Sequence, residues 1–93
     1  MKLCFEWDEE KANANLKKHR VGFDEAVSAF ADPRLLTFSD SHHSEDEERF
    51  LSIGISYKNR VLIIAYTDRT SKIRIINCRK ATASERKRYE ENE

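Results

Sequence analysis

Lys72-Ile73-Arg74-Ile75-Ile76-Asn77-Cys78-Arg79-Lys80-Ala81 is the stretch whose reading decides the fold. It is an apolar strand that carries cations, and Thr82-Ala83-Ser84-Glu85 follows at once as a helix start. A strand of this kind buries one face and brings Arg74, Arg79 and Lys80 to its rim or end. Strict alternation places Arg74 with Lys72, Ile76 and Cys78, and Arg79 on the opposite side. The two arginines share one groove only if the strand bulges near Asn77 or the site lies beyond the strand end.

Moving back along the chain, Val61 to Thr67 is apolar on both faces, as suits a central strand covered above and below. Asp68 to Ser71 turns it into the cationic strand. Lys58-Asn59 is short enough for a hairpin, and Arg49 to Tyr57 alternates, with Leu51, Ile53, Ile55 and Tyr57 on one face. The other face, Phe50, Ser52, Gly54 and Ser56, is mostly small and polar, as the floor of a groove would be. Three antiparallel strands in a meander are the most economical topology.

Leu35 to Ser39 is a further strand, and Asp40 to Glu48 is polar, acidic and without apolar residues, as a loop should be. At the start, Lys2 to Trp7 is strand-like, with Leu3, Phe5 and Trp7 on one side. Asp8 is an N-cap for a helix over 9–19, whose first turn is acidic and whose last turn holds Lys17, Lys18 and His19. A second helix over 23–30 is expected to be capped by Asp24, with Phe23 as the staple residue before it, and to stop at Asp32-Pro33. Thr82 and Glu85 form a capping box for a last helix from 83 to the early nineties, which has little beyond Ala83 and Tyr89 to offer a core. The fold class is α+β: a short N-terminal strand, two helices, an antiparallel sheet meander and a C-terminal helix, in a single domain over 1–93.

Hydrophobic residues make up 39% and charged residues 37%, so a small core with a heavily charged skin is expected. Net charge is zero, which taken whole argues against a general nucleic-acid binder. The distribution is uneven, because residues 58–80 hold seven basic side chains and one acidic one. That strip suits a phosphate-binding face, and equally a row of positive strand edges that deters pairing. Cys4 and Cys78 lie in apolar strand-like segments without zinc-ligand spacing, so both are expected to be buried thiols. No leader pattern and no long apolar run is visible, which points to the cytoplasm and away from a membrane.

Phe5-Glu6-Trp7-Asp8, Lys11, Asn15, Lys18-His19, Phe23, Asp32-Pro33, His43-Ser44-Glu45, Glu48-Arg49-Phe50, Gly54, Arg74-Ile75-Ile76, Arg79, Glu85-Arg86 and Tyr89, in this order and spacing, resemble the BrnT family of bacterial type II toxins. The resemblance implies a RelE-like fold and a metal-independent endoribonuclease, with no cofactor, that cleaves mRNA and arrests translation. It also implies a BrnA-type antitoxin partner with a ribbon-helix-helix domain, so that DNA is met only indirectly through the antitoxin complex. Two departures stand out. Arg20 follows Lys18-His19 where the family pattern has glycine, which bears on the turn between the helices. Asn77-Cys78 precedes Arg79 where the family has Ser-Ala, which bears on how the strand presents Arg79.

Metal-free RNA cleavage needs a group to take the 2′-hydroxyl proton, cations to stabilise the phosphorane, and a donor for the leaving 5′-oxygen. Arg79 and Arg49 are the expected phosphate clamps and His43 the expected acid or base. Lys18, His19, Arg74, Lys80 and Tyr89 are the expected substrate-binding residues, and no metal site is expected. The bland readings stand beside these: Arg49 and Arg79 paired with carboxylates such as Glu48 or Glu85, Lys18-His19 as a helix-dipole cap, and Tyr89 as an anchor for the last helix. A non-catalytic RNA-binding protein, or an antitoxin-docking co-repressor, is the alternative function.

Overall fold

A computed structural model describes residues 3–43 and 47–92, with His43 given for its backbone alone. The elements run β1 (Phe5–Glu6), α1 (Glu9–His19), α2 (Phe23–Ala29), β2 (Leu36–Ser39), a single 3-10 turn (Ser41–His43), β3 (Arg49–Ile55), β4 (Val61–Arg69), β5 (Lys72–Lys80) and α3 (Ala83–Glu90). The five strands form one sheet in the order β1-β5-β4-β3-β2. The expected meander is present, since β3, β4 and β5 pair antiparallel in sequence order. The sheet is nevertheless mixed, because β1 lies parallel to β5, with Phe5 opposite Ile73 and Glu6 opposite Arg74.

Alternation along β4 explains the two layers. Leu62, Ile64 and Tyr66 join Val21, Phe23, Ala26 and Ala29 in the larger core, under α1 and α2. Ile63 points the other way and joins Ile53 and Tyr89 under α3. The small residues of β3 are therefore no groove floor. They are small because α2 packs there: a Cβ on Gly54 would lie 2.7 Å from a Leu35 methyl and 3.0 Å from the Ala29 carbonyl oxygen. Ser52 on the same face is fully buried and bonds the Tyr66 hydroxyl at 2.7 Å.

The core is small, so polar ties carry much of the registration. The one buried residue of α1 is Asn15. Its amide Nδ2 donates to the carbonyls of Val21 (2.9 Å) and Cys78 (2.8 Å), while its Oδ1 accepts from the Cys78 N–H at 3.0 Å. Beyond β1 the outer edge of β5 has no neighbouring strand among the described residues, and Asn15 satisfies that edge as a strand would. Glu25 is buried on α2, where it accepts from Ser56 Oγ at 2.7 Å and from Arg60 Nε at 2.9 Å. Asp32 accepts from the backbone N–H groups of Arg34 and Ile55 and from the Tyr89 hydroxyl, tying α2, β3 and α3 together.

Two local expectations are corrected, and a third feature is explained. Gly22, not Asp24, is the N-cap of α2, because Phe23 enters the helix and is driven into the core at 2% exposure. Cys4 is exposed, whereas Cys78 is buried and its thiol is pushed up to about 12 by burial. Arg20 is the C-cap of α1, in left-handed geometry with φ 61°. A glycine would fill that position without the steric penalty, which accounts for the family pattern there.

Two substitutions test these assignments by chemical denaturation. Arg20→Gly should raise stability by about 1 kcal/mol through relief of the left-handed backbone. Asn15→Ala should lower it by about 3 kcal/mol, since it strands buried backbone groups of Cys78 and Val21.

Candidate active site

The placement of the cations turns on one extra residue. Along the β4–β5 ladder, Ala65 faces Asn77 but the next residue, Tyr66, faces Ile75, so Ile76 is a bulge. The bulge reverses the alternation and sets Arg74, Asn77 and Arg79 on one face, the face of Ile63 and Thr67. Lys80 pairs with Leu62 and points to the other face.

The same bulge borders a cleft of about 430 Å³ between the outer edge of β5 and α1. Lys11 and Lys18 enter it from α1 with His19, and Asn77 and Arg79 enter it from β5. Lys11, Asn15 and Lys18 fall at i, i+4 and i+7, one stripe of the helix, so the residue that docks α1 also aims the two lysines. Of the expected residues, the cleft brings together Lys18, His19 and Arg79. Lys11 and Asn77 were not anticipated. The lysine is legible from its helical spacing, whereas the asparagine reaches the cleft only because of the bulge.

Arg79 is held rather than loose. Its Nη1 and Nη2 donate to the two Glu85 oxygens at 2.7 and 2.9 Å, and Nη1 also reaches the Lys80 carbonyl at 3.3 Å. Glu85 accepts in addition from the Thr82 N–H, completing the capping box of α3. The Arg79 bonds, followed by the Thr82 contacts, draw the Glu85 carboxyl down to about 2 against the opposing effect of burial. This pairing uses the end of the guanidinium. The side fork, Nε–H with the second Nη2–H, has no partner among the described residues and suits a planar acceptor such as two phosphate oxygens.

Arg49 does not meet Arg79. Arg49 pairs with Thr67, and Thr67 pairs in turn with Arg74. With four residues of β4 and two strand spacings between them, the Cα atoms of Arg49 and Arg79 lie about 16 Å apart on the same face. Arg49 and Arg74 instead flank Thr67. The turn Ser41–His43 joins β2 to β3 beside Arg49, with the Asp40 N–H bonded to the Arg49 carbonyl at 2.7 Å, and the His43 side chain lies outside the described residues. Tyr89 is 5% exposed, its hydroxyl donates to Asp32 and Arg34 lies 5.4 Å over its ring, so it anchors α3 and presents no face to a base. Burial and the Asp32 charge push its hydroxyl up to about 12.

A small α+β protein with a cationic cleft at a sheet edge is the class these features define. A sequence profile described as "Ribonuclease toxin, BrnT, of type II toxin-antitoxin system" matches residues 7–85. The crystal structure of the Brucella abortus ribonuclease toxin, BrnT, is similar in fold, with a TM-score of 0.60 at 21% identity over 87% of this chain and 99% of that one. A comparison with curated proteins found no match. The chain belongs to the BrnT family. It is thereby a ribonuclease toxin of a type II toxin-antitoxin system, with RNA as substrate and an antitoxin as partner.

The Arg79–Glu85 pair sets an acid limit. Because the folded Glu85 carboxyl titrates near 2 rather than its ordinary 4.5, its contribution is whole above 4.5 and is lost as pH falls toward 2. Glu85→Gln should flatten the stability profile between those values, measured by fluorescence-detected acid unfolding, with its deficit against the parent largest at neutral pH and shrinking toward pH 2.

Proposed function

We propose that this toxin cleaves RNA without a metal, by attack of a ribose 2′-hydroxyl on the adjacent phosphate, in the cleft between α1 and β5. The observation that carries this reading is Arg79: a guanidinium oriented by Glu85, with its side fork unused, in one cleft with an imidazole and two ammonium groups. The fork holds two non-bridging oxygens, and Lys11 and Lys18 supply further positive charge as the phosphorane forms. His19 takes the 2′-hydroxyl proton as the 2′-oxygen bonds to phosphorus. Lys18 gives a proton to the 5′-oxygen as its bond to phosphorus breaks. The products are a 2′,3′-cyclic phosphate and a free 5′-hydroxyl.

Arg49 and Arg74 are assigned to holding substrate, since their row is set apart from the cleft. In the cell this cleavage of mRNA stops translation, and a BrnA-type antitoxin with a ribbon-helix-helix domain neutralises it. DNA enters only through that antitoxin. Of the expected set Arg49, Arg79 and His43, Arg79 keeps its role here; the proton is assigned to His19, and the His43 side chain lies outside the described residues.

Cleavage of a fluorescent RNA should persist in EDTA and fall by about 100-fold or more in Arg79→Ala and in His19→Gln, with growth arrest on overexpression lost in parallel. Arg79→Lys, which keeps the charge and loses the fork, should recover only a small part. Loss of activity in EDTA, or full activity in Arg79→Ala, would overturn the reading.

A further inference from the structure

We infer that the sheet face carries a second phosphate subsite, Arg49–Thr67–Arg74, which grips the RNA strand away from the bond that is cut. The inference rests on the cleft reading only for the identity of the strand. Its own basis is the row that crosses the sheet, in which Glu6 of β1 faces Arg74 of β5, Arg74 faces Thr67 of β4, and Thr67 faces Arg49 of β3. Arginine side chains from two strands rise on either side of one hydroxyl, about 10 Å apart at their Cα atoms.

Edge protection does not explain them. Arg49 pairs on one side with β4 and lies on a strand flanked on the other by β2, and Arg74 lies between β4 and β1, so both are on interior strands. Arg69, a neighbouring cation on this face, is more fully engaged than Arg74. Arg69 makes a two-bond pair with Glu47 at 2.8 and 2.9 Å, whereas the Arg74 guanidinium approaches Glu6 no closer than 3.6 Å. The Arg60 cation of the same basic stretch is held by the buried Glu25.

Thr67 supplies the independent observation. It is 6% exposed, and its hydroxyl oxygen has no hydrogen-bond partner among the described residues. A buried hydroxyl without a partner lowers stability, and a valine of the same shape would not. A hydroxyl that donates to an anion held between two guanidinium groups has a chemical reason to be there. The bulge at Ile76 puts this row and Arg79 on the same face, about 13 Å apart along the strands. One extended strand can cross both, with its phosphate in the row a few nucleotides from the one in the cleft.

Binding of a 2′-O-methyl RNA oligonucleotide, which has no free 2′-hydroxyl to attack, tests the subsite apart from the chemistry. Thr67→Val should be as stable as the parent or more so and bind about tenfold more weakly, whereas Thr67→Ser should bind like the parent. Arg74→Ala should weaken binding and reduce the slope of log affinity against log salt by about 0.7. Parent-like binding by Thr67→Val and Arg74→Ala, or equal loss in Thr67→Val and Thr67→Ser, would overturn the subsite. Failure of the cleft reading would show elsewhere, as undiminished cleavage by Arg79→Ala.

Discussion

The side-chain amide of Asn15 is the tie on which the site depends. Helix α1 contributes one buried residue, and that residue is polar, so hydrogen bonds to Cys78 and Val21 rather than apolar area set where the helix sits. A buried amide tolerates little displacement, because each group left without its partner costs about 1–3 kcal/mol. The positions of Lys11, Lys18 and His19 relative to Arg79 inherit that precision. The surface of α1 is otherwise mainly exposed, and the helix brings Lys11, Lys18 and His19 to the cleft.

The bulge at Ile76 is the second constraint, and it organises the charge. Without it, Arg74 and Arg79 would lie on opposite faces and the basic stretch would be divided between a core and a surface. With it, the cations of β5 that follow Lys72 separate by partner. Arg79 is oriented by Glu85, Arg74 stands in the row with Thr67 and Arg49, and Lys80 points away. The chain is neutral overall, yet one sheet face and one sheet edge are positive, which is what binding a polyanion requires.

Carboxylates do the structural work elsewhere. Glu25 holds the β3–β4 hairpin to α2 through Ser56 and Arg60, and Asp32 collects donors from its own loop, from β3 and from α3. Burial opposes the charge on both, but hydrogen bonds outweigh it and both carboxyls are lowered from their ordinary values. Tyr89 belongs to this network, which is why the aromatic ring of α3 is a fixture of the fold and not a stacking platform.

Local chemistry made most of the elements legible in the residues. Asp8 with its acidic first turn, Asp32-Pro33, the alternation of β3, the double-sided apolar run of β4 and the Thr82–Glu85 box each act within a few residues, so their signals survive in one dimension. The side chains proposed to meet a phosphate, Arg79, Lys18 and His19 among them, were legible for the same reason. Their grouping was not. Which face Arg74 and Arg79 share depends on a one-residue slip in the β4–β5 register, and the distance from Arg49 to Arg79 depends on strand order; both are decided between segments far apart in the chain. Only the folded chain, by pairing Asn15 with Cys78 across 63 positions and leaving β5 open beside α1, determines that a cleft exists and which cations reach it.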